Sequence, residues 1–177
     1  MIDETSSLQD VCFEVCTALT ASGTTAVLTG GGAATIYAPH RYQSRDADFV
    51  ITFGGDARAA ATLAVLGYKE FGGIYRHARN RFTLDFPPGP LSIGSDLVEK
   101  YNTLTKSNLH LNVLNRTDCV RDRLCAYYFW NDLSSLTTAV DVALSGEIDR
   151  NTIVDWSRRE GMAQRCTHFI ERLGRST

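Results

Sequence analysis

Apolar residues recur at helical spacing over the first stretch of the chain. Leu8, Val11, Cys12, Val15, Cys16 and Leu19 fall on one face, Ser6 and Ser7 stand before them as N-cap candidates, and Gly23 ends the pattern. The spacing predicts an amphipathic packing helix. Residues 25–29 read as a short buried strand, and Gly30–Gly32 turn it into a helix over 33–38 that Pro39 terminates. From residue 46 the period changes to two. Ala47, Phe49, Ile51 and Phe53 lie on one face of a strand over 46–53, and Asp46, Asp48, Val50 and Thr52 lie on the other, so both aspartates share a face.

Gly54-Gly55 opens an alanine-rich helix over 56–66, stopped by Gly67. Strands near 68–71 and 74–78 lead through Arg79-Asn80 to a strand over 81–86, with Phe82, Leu84 and Phe86 on its apolar face and Arg81, Thr83 and Asp85 opposite. Pro87-Pro88-Gly89-Pro90 ends it. Residues 98–105 and 109–114 read as a last strand pair with Ser107-Asn108 at the bend. From Thr117 the pattern is helical. Thr117 or Asp118 caps a run through Trp130, Ser134 or Ser135 begins a second to Leu144, and 151–160 and 163–173 form two more. The expectation is an α+β fold: a mixed sheet with packed helices in an α/β core over 1–115, and a C-terminal helical region over 116–177 packed on it without a flexible linker.

At 177 residues and 44% hydrophobic content the chain is long enough for a real core in one domain with a helical appendage. A net charge of −2 gives no general basic footprint, although a local basic patch stays open. Five cysteines, odd in number and without C-x-x-C spacing, fit a reducing cytosol, and four scattered histidines lack zinc-site spacing. With no signal peptide and no apolar run of membrane length, the expectation is a soluble cytoplasmic protein with no membrane partner.

The candidate chemistry lies where the first two strands meet. Mg²⁺ takes oxygen ligands, one or two of them carboxylates, together with substrate phosphates. Residues two apart on a strand stand roughly 6.6 to 6.8 Å apart with parallel side chains, so Asp46 and Asp48 can converge on one ion or flank a pair of ions. Asp85, on a strand that can neighbour theirs, is the candidate third ligand and a group to help deprotonate an attacking hydroxyl. The N–H groups of Gly31 and Gly32 at a helix start would hold phosphates, with Arg41, Ser44 and Arg45 near enough to supplement them. No Gly-Lys-Ser/Thr follows the glycines, which excludes a Walker A loop, and the G-x-G-x-x-G spacing of a dinucleotide fold is absent.

Thr29-Gly30-Gly31-Gly32-Ala33-Ala34 followed by Ser44-Arg45-Asp46-Ala47-Asp48-Phe49 resembles the signature of the nucleotidyltransferase (DNA polymerase β-like) superfamily. The Ser-x-Asp-x-Asp-Phe form is most similar to small bacterial AbiEii-type nucleotidyltransferase-like proteins, which are toxin components of toxin–antitoxin systems. Arg121-Asp122-Arg123 and Asn131-Asp132 resemble charged motifs on the helices after the sheet in such proteins, with arginine where a lysine is common. The resemblance implies a mixed sheet with helices on it, dependence on Mg²⁺ (two ions in the active complex), and transfer of a nucleoside monophosphate from an NTP. It implies an RNA, protein or small-molecule acceptor without choosing among them, and a cognate antitoxin as a partner. The competing expectation is a noncatalytic protein of the same fold that binds a nucleotide or a protein partner.

Two other features carry two readings each. Tyr127-Tyr128-Phe129-Trp130 reads as core and interhelix packing before it reads as a base-stacking platform. Arg76, Arg79 and Arg81 with His77 flank the hairpin before Asp85, either as a solvated tip or as a patch facing phosphate or RNA.

Overall fold

The first helix, α1 (Leu8–Ala21), starts at a capping box: the Ser7 hydroxyl accepts from the Asp10 N–H (3.2 Å) and the Asp10 carboxylate accepts from the Ser7 N–H (3.0 Å). The apolar face read from the sequence is fully buried. In this computed structural model, which describes residues 2–175, the chain continues through β1 (Thr25–Thr29), α2 (Gly30–Tyr37), β2 (Asp46–Phe53), α3 (Asp56–Val65), β3 (Tyr68–Phe71), β4 (Ile74–His77) and β5 (Asn80–Asp85). A two-residue hairpin, β6 (Ser92–Ile93) and β7 (Asp96–Leu97), precedes β8 (Asn102–Lys106) and β9 (Leu109–Val113). Four helices follow: α4 (Arg116–Trp130), α5 (Leu133–Leu144), α6 (Arg150–Arg159) and α7 (Ala163–Arg175). Residues 176–177 of the expected helical region lie outside the described residues.

Among the described residues the main sheet has seven strands in the order β3-β4-β5-β2-β1-β9-β8. It is mixed, as expected: β2 runs parallel to β5 and β1 parallel to β9, and the other neighbours are antiparallel. Helix α1 packs on β1 and β9, α2 on β2 and β1, and α4 on α2 and α5. A single apolar core runs from Leu8, Leu28 and Phe49 through Leu84 and Leu111 to Trp156 and Phe169. The C-terminal helices thus share a core with the sheet.

Several local expectations are corrected. The three glycines are the first turn of α2 and not a turn ahead of it, because Gly30 (φ +64°) makes the bend from β1 by itself. The stretch 98–101 is not strand; β8 begins at Asn102, and β6–β7, too short for a periodic signal, precedes it. Phe53 does not share the buried face of Ala47 and Phe49. The β1–β2 register shifts between Thr25 and Ala26, and beyond that bulge Phe53 is 72% exposed. The caps of α4 and α5 fall earlier than expected, at Asn115 and Asp132, whose side chains accept the first free N–H groups. Of the aromatic run, Tyr127 and Tyr128 are buried, with Tyr128 stacked on Trp156, while Phe129 and Trp130 are exposed. Arg158 and Arg159 are exposed, as a solvated face requires, and pair with Asp155 and Asp96.

Candidate active site

Strand β2 sits between β1 and β5, and its register against both places the acidic residues. Along the parallel β2–β5 ladder Asp46 stands beside Thr83, Ala47 beside Leu84 and Asp48 beside Asp85. Ala47, Phe49, Phe82 and Leu84 are buried in the core, so the alternating residues Asp46, Asp48, Thr83 and Asp85 share the opposite face. Asp48 and Asp85 are therefore lateral neighbours, and Asp46 lies one side-chain position up the strand.

The β1–α2 junction closes over this row. Thr29 lies beside Asp48 in the antiparallel ladder and its hydroxyl donates to the Asp48 carbonyl (3.2 Å). A Cβ at Gly30 would overlap the Asp48 carboxylate, and with φ at +64° that position suits glycine on both counts. A Cβ at Gly31 would lie 2.7 Å from the Ser44 hydroxyl and 2.9 Å from the Tyr42 hydroxyl. Gly32 points elsewhere: its Cβ direction meets Leu28 Cδ1 at 2.9 Å and the Ala47 backbone at 3.4 Å, so it is a close-packing glycine under the sheet. The loop between α2 and β2 is pinned by the Thr35 hydroxyl, which donates to the Gly31 carbonyl (3.1 Å) and accepts from the Ser44 N–H (2.8 Å). Ser44 is buried and its hydroxyl donates to Asp46 Oδ1 at 2.7 Å. Arg45 is exposed and lines an adjoining cavity with Arg81.

Two residues arrive from the helical region. The Gly30 N–H donates to Asp122 Oδ2 (3.2 Å), and Arg123 donates to the same oxygen from Nε (3.1 Å) and Nη2 (2.7 Å). Burial works against the Arg123 charge, but the adjoining Asp122 carboxylate outweighs it and raises the guanidinium pKa further. The signal in the sequence was the Arg121-Asp122-Arg123 run; its contact with a glycine 92 residues away was not readable.

Charge along the row is unbalanced. Burial, then the Asp46 carboxylate, and with smaller contributions Asp85 and Asp122, push the Asp48 carboxyl up to about 6, with Arg123 alone opposing them. Hard oxygen donors carrying uncompensated negative charge suit a divalent cation such as Mg²⁺. Among the described residues no three His, Cys, Asp or Glu side chains form a ready metal cage. The donor set fits an ion that completes its shell with substrate oxygens. Asp85 Oδ1 also accepts from the Phe86 N–H (2.8 Å), which fixes its orientation.

No protein-family model and no curated protein matches this chain by sequence. Solved structures do match it. An antigenic nucleotidyltransferase-like protein from Paracoccidioides brasiliensis superposes with a TM-score of 0.54 at 12% identity, over 93% of each chain. The antibiotic-resistance factor ANT(2″)-Ia superposes with a TM-score of 0.50 at 11% identity, covering 88% of this chain and 94% of that one. No helix among the described residues is long and apolar enough to cross a membrane. The shared architecture, extending over nearly the whole chain, is that of a nucleotidyltransferase-like α+β fold.

Proposed function

We propose that this chain is a Mg²⁺-dependent nucleotidyltransferase that moves a nucleoside monophosphate from an NTP to an acceptor hydroxyl. The observation that carries the reading is the row of Asp46, Asp48 and Asp85 on two adjacent parallel strands, capped by the glycine start of α2. In this reading the three carboxylates hold the metal together with substrate oxygens, Gly31 and Gly32 supply backbone N–H groups toward the phosphates, and Ser44 supplements them, while Arg45, which the sequence also offered for that role, lines the adjoining cavity. Bound there, Mg²⁺ supplies charge neutralisation at the phosphoryl and pyrophosphate oxygens. The chain's own residues do the rest. Ser44 orients Asp46 by its hydrogen bond, Arg123 keeps one cation beside the row, and Asp85 takes the acceptor hydroxyl proton. The acceptor oxygen forms a bond to the α-phosphorus, the bond from that phosphorus to the bridging oxygen breaks, and pyrophosphate leaves with the electron pair. The similarity of Ser44-Arg45-Asp46-Ala47-Asp48-Phe49 to AbiEii-type proteins extends the proposal to a toxin of a toxin–antitoxin pair acting in the cytoplasm, with a cognate antitoxin as partner. The division into a core over 1–115 and a helical region over 116–177 is part of the same reading.

One observation favours a second reading. The Gly30 N–H is already held by Asp122, and Gly30–Gly32 are buried, as in a noncatalytic protein that uses this fold to bind a nucleotide or a partner. Incubation with each α-labelled NTP and Mg²⁺, with cellular RNA, protein and small-molecule extracts as acceptors, separates them. Label transferred to any acceptor class supports the transferase; NTP binding without transfer to any class supports the binding module.

A further inference from the structure

Just upstream of the acidic row, the end of the α2–β2 loop and the start of β5 frame a concave cavity of ≈ 570 Å³ lined by Gln43, Ser44, Arg45, Arg81 and Phe82. Its volume is in the range of small-molecule sites. Among the described residues no acidic one lines it and neither arginine has a carboxylate partner. Nearby arginines are engaged: Arg41 with Asp141, Arg79 with Glu4 and Arg123 with Asp122. Arg81 lies with its guanidinium over the buried Phe82 ring, 4.9 Å from the centroid, which fixes its plane. The cavity also touches the acidic row. Ser44 is part of its wall and donates to Asp46, and Arg81 stands two residues before Thr83, the rung beside Asp46.

The geometry points to an acceptor subsite in this cavity, in which Arg45 and Arg81 hold a phosphate group of the acceptor while its hydroxyl reaches Asp46 and Asp85. Planar guanidinium forks match phosphate oxygens in pairs, and two unpaired forks in a cavity without acids select an anion and repel an amine-rich acceptor. This deepens the nucleotidyl-transfer reading and rests on it: it names the acceptor as phosphate-bearing. It also gives the arginine patch before Asp85 a ligand.

The test is calorimetric titration of the full chain, without NTP or Mg²⁺, using the diribonucleotide UpU, uridine 3′-monophosphate and spermidine. UpU or the monophosphate binds, the tighter of the two identifying a diester or a monoester acceptor, and added NaCl weakens the binding. Arg81→Gln and Arg45→Gln each lower that affinity about tenfold, whereas Arg76→Gln, an exposed arginine outside the cavity, leaves it unchanged. Arg81→Gln keeps wild-type affinity for Mg²⁺-ATP. Equal affinity for UpU and for the monophosphate in wild type and Arg81→Gln, preference for spermidine, or loss of Mg²⁺-ATP binding in Arg81→Gln overturns the subsite. Arginine-dependent UpU binding by a protein that transfers no nucleotide overturns the transferase reading and leaves the phosphate site standing.

Discussion

Arg121 and Asp122 are adjacent on α4 and belong to two opposite kinds of charged cluster. Arg121, with its side chain 7% exposed, donates to Asp118 (2.7 Å) and Asp96 (2.5 Å), and Arg159 joins Asp96 (2.7 Å). Trp156 lies flat beneath the guanidinium, 4.9 Å away. Two cations meet two anions there, and the cluster ties α4 and α6 to the β6–β7 hairpin. On the other side of the helix Asp122 joins Asp46, Asp48 and Asp85, with Arg123 as the one cation acting on Asp48. A charge-balanced cluster of this kind serves the fold. An unbalanced one costs stability, and in the proposed transferase it is the place that would receive a cation from outside.

The largest expected effect breaks the balanced cluster. Arg121→Ala leaves Asp118 without its cation and removes the cover of Trp156, and should cost about 3–5 kcal/mol, read from urea denaturation. Transfer per folded molecule should be unchanged, and a loss of transfer in protein that remains folded would erase the contrast between the two sides of α4.

Next comes the unbalanced side. Asp48→Asn should lower nucleotide transfer by about 10²–10³-fold in a single-turnover assay, with thermal stability at pH 7 equal to wild type or higher because a repelling charge is gone. Undiminished transfer by the folded variant would place the chemistry elsewhere.

Gly32→Val sharpens the contrast between glycines that face the acidic row and one that faces the core. The new side chain meets Leu28 and the Ala47 backbone, so a destabilisation of about 1–3 kcal/mol is expected. NTP affinity of the molecules that remain folded should hold. The side chain enters the core and leaves the Gly32 N–H in place.

The smallest effect is a pH dependence of the metal-free protein. Because the Asp48 carboxyl is held at about 6 against an ordinary 3.8, the folded state binds its proton more tightly than the unfolded chain does. Stability relative to Asp48→Asn should therefore rise as the pH falls through 6 and level off below 3.8, by on the order of 1–3 kcal/mol. Paired melting curves from pH 7 to 4 check it, and a flat difference would remove the excess charge from the argument.

Legibility in the sequence followed the range of the interactions. Strand alternation put Asp46 and Asp48 on one face, and Ala47 and Phe49 inside, from local periodicity alone. The apolar face of α1 and the parity of Arg81, Thr83 and Asp85 were readable for the same reason. That Asp85 stands beside Asp48 depends on which strands pair, which the run of residues suggested without determining. The Asp122–Gly30 bond, the Arg121 cluster and the Arg45–Arg81 cavity bring together residues with no periodic relation, and none could be read in advance. The bulge in β2, where Thr52 is the extra residue and beyond which Phe53 turns outward, left no trace beyond Gly54-Gly55.

The position of β2, antiparallel to β1 on one edge and parallel to β5 on the other, has a consequence for how such a chain can vary over time. One residue inserted between Asp46 and Phe49 would exchange the carboxylates with the core residues along both ladders at once, and neither neighbour could slide to restore them. The loop over 38–43 has no such strand partner on either side. Length changes are thus open to the loop and closed to the strand that carries the acids, so that in the proposed transferase the range of ligands could drift while the acidic row stays fixed.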